Sequence, residues 1–136
     1  MNALVHAHSG LRYVVLALLL AAIYTAFSKK GDSTSPYSKI YLGAMIATHT
    51  QILIGLVLYF MSPKVNFSMM SEPFYRFYNV EHVTGMLIAA VLITIGHRQA
   101  KNLKHGKVLA YYGIGLVVIL ASIPWPFRAA LAGGWY

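Results

Sequence analysis

The sequence predicts an all-α fold, an integral membrane four-helix bundle running up-down-up-down. Four apolar runs, at about 3–27, 40–61, 77–96 and 108–127, each reach the about 20 residues that a helix needs to cross a bilayer. Hydrophobic residues make up 58% of the chain and charged residues 10%, where soluble domains carry roughly 25% charge. Mean hydropathy is +0.61. The basic residues fall between the apolar runs, as membrane topology demands. The 136 residues therefore read as a single transmembrane domain.

Between spans one and two, Gly31 and Pro36 break the helix, and Lys29, Lys30 and Lys39 add charge. Between spans three and four lie Arg98, Lys101, Lys104 and Lys107. These two connections share one side and hold seven of the eleven Lys and Arg residues. The positive-inside rule makes that side cytoplasmic and puts both termini outside. The expected location is the bacterial cytoplasmic (inner) membrane, with periplasmic termini. The net charge of +8 thus reflects topology and not a nucleic-acid surface. The amino terminus lacks the basic region of a signal peptide. Absence of cysteine excludes disulfides, thiolate metal sites, cysteine nucleophiles and covalent haem attachment.

The remaining connection, 62–76, contains Pro63 and Pro73 and is rich in Met, Phe and Tyr. Such a loop is expected to lie along the interface or to fold over the outer mouth. Tyr59, Tyr75, Tyr78, Trp125 and Trp135 are placed in the outer aromatic belt. Pro124 is expected to end span four.

Span two, with no charged residue between Ile40 and Met61, carries a polar island at its middle: Thr48, His49, Thr50 and Gln51. An ionisable side chain at that depth marks a functional site by default. His8, near the start of span one, and His82, near the start of span three, are expected to join His49 in the outer half of the membrane. His105 reads as a solvated surface residue and His97 as a headgroup-level one. His97 is expected to lack an intramembrane histidine nearby, which argues against a second, stacked haem. Arg12 follows His8 by one helical turn and shares its face. Arg76 and Arg128, at the outer ends of spans, meet either an anionic ligand or lipid headgroups. Glu81 is expected to pair with Arg12, or to carry protons to a quinone.

Two neutral imidazoles on facing helices are the usual axial set of a b-type haem, whose propionates need cations. The leading assignment is therefore one haem b with His49 and His82 as the iron ligands and Arg12 near the propionates. His8 is the alternative ligand, and the pair His8 and His82 is the better matched in depth unless span three starts just after Pro73. Gly85 and Ala89 are small enough to let a porphyrin approach. Quinone is the candidate exchange partner, and no catalytic residue is assigned.

HSGLRY at His8–Tyr13, THTQILIGLVLYF at Thr48–Phe60, VEH at Val80–His82 and SIPWPFR at Ser122–Arg128 resemble a family of small four-helix bacterial membrane proteins labelled cytochrome b-like. The resemblance covers essentially the whole chain and implies haem binding. The architecture is similar to that of cytochrome b561, whose diheme histidine set is only partly matched. Two other readings stay open. One is a copper or zinc site of His8, His49 and His82 together. The other is a non-catalytic accessory subunit of a larger membrane complex. Lipid, a respiratory complex and a second copy of the chain are the partners considered.

Overall fold

The computed structural model describes residues 2–125. Four long helices form the bundle: α1 (Asn2–Lys29), α2 (Lys39–Met61), α3 (Pro73–Lys101) and α4 (His105–Ser122). Each is long and apolar enough to cross a membrane, so the chain is a multi-pass membrane protein. Large side chains such as Leu20, Leu53, Phe60, Val91 and Val117 point outward from the bundle. Helices that are apolar on all sides have a hydrocarbon solvent.

α1 and α2 form one hairpin and α3 and α4 another. Contacts of α1 with α4 and of α2 with α3 close the ring. The two basic connections lie at one end, the basic end. The start of α1 and the end of α4 lie at the other, the mouth end.

α3 begins at Pro73 rather than at Phe77, because proline at the first helical position forfeits only an N–H that has no partner there. Its second turn, Phe77–Glu81, is a π turn, closed by the His82 N–H donating to the Phe77 carbonyl. Regular α-helix runs from His82 onward. α4 ends at Ser122, short of the expected boundary near residue 127. Ile123 is extended, because the residue before a proline is pushed out of the α region.

In lipid, helices gain nothing from burying apolar surface against one another and associate through close packing. Gly96 supplies that closeness between α3 and α4. A Cβ there would lie 2.7 Å from Tyr112 Cδ1 and 2.9 Å from Tyr111 Cβ. Tyr112 in turn donates to the Tyr41 carbonyl across the core at 2.8 Å.

At the basic end, Gly31 turns the chain with φ of 79°. Asp32 then accepts from the Thr34 hydroxyl and amide and from the Ser35 hydroxyl. The Thr34 hydroxyl bond, first among these, holds the Asp32 carboxyl below its usual range. His105 is not solvated. It is 2% exposed, with Nδ1 at 2.9 Å from the Tyr41 hydroxyl and Nε2 at 3.0 Å from the Ser35 carbonyl. A carbonyl only accepts, so Nε2 carries the proton and Nδ1 accepts from Tyr41. The charged neighbour Lys104 suggested a surface, but the first turn of α4 rotates His105 inward under the first connection.

Gly96→Ala forces Tyr112 aside, and overpacking of this kind costs about 1–3 kcal/mol. Gly113 has open space around it, so Gly113→Ala is expected to be neutral or stabilising by about 0.5–1 kcal/mol through helix propensity. Thermal unfolding of both variants in detergent checks the contrast.

Candidate functional site

A cavity of about 220 Å³ lies inside the mouth end. One face of each helix builds it. α1 contributes Val5, His8, Ser9 and Arg12, and α2 contributes Thr48, Gln51, Gly55 and Tyr59. These spacings of three and four are those of a single helix face. α3 adds His82 and Met86, and α4 closes the wall with Ile119 and Ile123.

His8 and His82 meet across the diagonal of the bundle. Their ring centroids are 6.2 Å apart with planes at 87°. His82 is fixed by its own helix and by α4. The π turn sets its direction, and Nδ1 lies 2.6 Å from the Ser122 carbonyl. The carbonyl makes Nδ1 the protonated nitrogen and leaves Nε2 with its lone pair. Gly85 makes this contact possible, since a Cβ there would collide with the Ser122 side chain. His8 is seated by α2. A Cβ on Gly55 would lie 3.0 Å from His8 Cε1, and the Gln51 amide donates to the His8 carbonyl. His8 Nδ1 and Gln51 Oε1 are both buried without a well-formed hydrogen bond, although the Gln51 side chain is close enough to interact with the His8 ring. A buried polar atom left unsatisfied costs about 1–3 kcal/mol, so a polar group entering the cavity here would be favoured.

Arg12 is 8% exposed. It donates to the Tyr13 hydroxyl at 3.0 Å, and its guanidinium lies 4.9 Å from the Tyr13 ring and 5.4 Å from the Trp125 ring. Such stacking suits arginine, whose weakly hydrated plane sits well on aromatic faces. The expected Arg12–Glu81 pair is not formed. Glu81 instead pairs with Arg76 at 3.2 Å, both about half exposed, and a pair so exposed is worth about 0–1 kcal/mol. Adjacent residues on a helix point about 100° apart, so with His82 turned inward Glu81 is carried to the surface. Arg128 and Trp135 lie outside the described residues.

The loop 62–72 folds over the mouth, and Asn79, 3% exposed, holds it there. The Asn66 amide donates to Asn79 Oδ1 at 2.9 Å, and Asn79 Nδ2 donates to the Asn66 carbonyl at 2.8 Å. Tyr59 locks Asn79 from the other side, donating to its carbonyl at 3.0 Å. The loop thereby delivers Lys64 and Val65 to the cavity wall. Lys64 Nζ sits 4.6 Å from the centre of the Tyr78 ring, and burial lowers its pKa below the usual lysine range.

His49 is elsewhere. Its Nε2 lies 2.8 Å from the Thr94 hydroxyl on α3. Both residues line a separate pocket toward the basic end, together with Tyr37, His97, Arg98 and Lys101. The expected His49–His82 pair is therefore not brought together. Among the described residues no three His, Cys, Asp or Glu side chains are arranged to hold a metal ion, so the three-histidine cluster does not form. The cause is helical phase. Thr48, Gln51 and Gly55 share the cavity face of α2, whereas His49 shares a face with Leu42 and Met45. His97, expected to lack a histidine nearby, has His49 in its pocket. It is 6% exposed and bonds through Nε2 to the Tyr37 hydroxyl at 2.8 Å.

Gly55, Lys64, Asn79 and the Ser122 carbonyl join the site without having been singled out in the sequence, and Gln51 joins it from the polar island. Gln51 had a signal, as an amide within the polar island of an otherwise apolar span.

Asn79→Ala removes the clasp and leaves the Asn66 backbone groups unpaired. Tryptic cleavage at Lys64 is expected to rise about tenfold or more, while the bundle's melting temperature moves little, because the opening is local. Comparison of the chain with family models, with curated proteins and with solved structures finds no match.

Proposed function

We propose that the chain is a membrane electron-transfer protein that holds one b-type haem between His8 and His82. The apposition of those two imidazoles carries the reading. The ring centroids are 6.2 Å apart, so His8 and His82 are the residues that would hold the iron of such a group. The donor set suits the group. His82 presents an unprotonated Nε2 because Ser122 occupies Nδ1, the outer-sphere device that orients metal-bound histidines. His8 has a buried nitrogen without a well-formed hydrogen bond. With no cysteine in the chain, binding is non-covalent.

When bound, such a haem supplies one-electron exchange between ferric and ferrous iron. The chain's own residues set the conditions for it. The Ser122 carbonyl fixes the orientation of the His82 ring, and Met86, Ile119 and Ile123 make that side of the cavity apolar. Arg12 supplies the cation at the same level. The cavity, about 220 Å³, is smaller than the about 300–1,000 Å³ of sites for drug-sized ligands, so seating a whole porphyrin requires the loop 62–72 to lift.

In this reading the basic end faces the cytoplasm of a bacterium. The haem then lies near the periplasmic face, positioned to exchange electrons with quinone, within a larger respiratory complex or in a dimer of this chain. The small volume favours a second reading, in which the cavity takes a quinone headgroup. Gln51 Oε1 would accept from a quinol hydroxyl, with His8 Nδ1 as the facing polar atom.

Absorption spectroscopy of the purified protein separates the two. The haem reading expects a Soret band and a reduced α band, lost in His8→Ala and His82→Ala and retained in His49→Ala. A folded, colourless protein that releases quinone on solvent extraction supports the second reading. A spectrum unchanged in His8→Ala overturns the ligand assignment.

A further inference from the structure

The structure assigns a second binding site to the basic end: the pocket between α2 and α3, which we propose holds the phosphate headgroup of an anionic phospholipid. This inference is independent of the haem reading. The pocket has a volume of about 830 Å³, within the about 300–1,000 Å³ typical of ligand sites. Its make-up changes with depth. Leu42 and Met45 are apolar, His49 and Thr94 close its polar floor, Tyr37 and His97 form one wall, and Arg98 and Lys101 are the cations.

Among the described residues nothing compensates the charge of this pocket. None of its lining residues is acidic. Among the described residues the only ion pair is Arg76–Glu81, at the opposite end of the bundle. Asp32, the one acid in the basic connections, is occupied by Thr34 and Ser35. Two cations close together without a carboxylate favour an anion with several acceptor oxygens, and phosphate is the one a membrane surface offers. His97 and His49 each commit Nε2 to a hydroxyl. They hold Tyr37 and Thr94 in place and so shape the pocket.

The apolar part selects lipid over free phosphate. Leu42 and Met45 lie level with the two cations, and deeper along α2 and α3 the side chains of Ile46, Leu53 and Val91 present apolar surface to the outside. A phosphate held by Arg98 and Lys101 would therefore continue into an acyl chain along the α2–α3 seam. The basic end, with seven of the eleven Lys and Arg residues, is also the end that would meet an anionic leaflet.

Native mass spectrometry of the full chain tests this, with phosphatidylglycerol and phosphatidylcholine titrated separately. One phosphatidylglycerol is expected to bind in preference to phosphatidylcholine. Arg98→Gln with Lys101→Gln should weaken it about thirtyfold, the sum of about 1 kcal/mol per cation near a surface. Lys104→Gln with Lys107→Gln removes the same charge from the same end outside the pocket and should cost much less. Millimolar inorganic phosphate should not displace the lipid; displacement would assign the site to the free anion and overturn the lipid claim. Equal binding of the two lipids by the unmodified chain, or equal losses in the two double variants, would overturn the site. So would a second haem per chain that disappears in His97→Phe.

Discussion

The hydrogen bond from His82 Nδ1 to the Ser122 carbonyl is the constraint on which most of the mouth end depends. The last carbonyls of any α-helix have no partner within the helix, and in hydrocarbon such a group costs several kcal/mol if left bare. α4 ends at Ser122, just before Pro124, so its final turn must find a donor outside itself. His82 supplies that donor. In the same act the bond fixes the tautomer and the ring plane of His82, ties the start of α3 to the end of α4, and requires a glycine at position 85. A requirement of helix termination thus becomes the orientation of a candidate ligand.

Five of the six histidines divide by what their nitrogens meet. His105 is satisfied at both nitrogens, and it works as a structural clasp between the first connection and α2. His49 and His97 each bond a hydroxyl. Among the described residues, only at the mouth end do two imidazole rings pack against each other, and there a buried histidine nitrogen lacks a well-formed hydrogen bond. Burial alone therefore does not single out the candidate site, since His105 at the other end of the bundle is also almost fully buried. Incomplete satisfaction does.

Much of the fold was legible in the sequence because membrane spans are written in composition. Runs of apolar residues, basic connections and the helix-ending prolines place four helices within a few residues. The site was legible only in part. His8, His82 and Arg12 converge on one cavity as their spacing suggested, whereas His49 does not. Its depth was readable from the length of α2, but its direction depends on which face of α2 turns inward. Thr48, Gln51 and Gly55 encode that face, and a polar residue one position off it points toward another helix altogether. Asn79 and Ser122 were not legible because they act on backbone groups of distant segments, pairings that leave no local pattern. The Glu81–Arg76 pair was missed because a π turn shifts helical phase just where that reading assumed a regular helix.

That π turn has a consequence for how the site tolerates change. Phe77–Glu81 holds one residue more than an α turn of the same rise would need. The bulge acts as a phase shifter between two rigid pieces of one helix. On one side stand Pro73–Arg76 and the lid they anchor; on the other stand His82 and Gly85, docked on α4. A single-residue deletion within the bulge would restore an unbroken α-helix and still span the membrane. It would leave the lid near its present orientation to His82, because the π turn and the α turn that replaces it each complete roughly one turn. The π turn is thus the place where α3 can lose a residue and keep the mouth in register, whereas a residue lost from the regular helix after His82 would rotate everything on one side of it by about 100°.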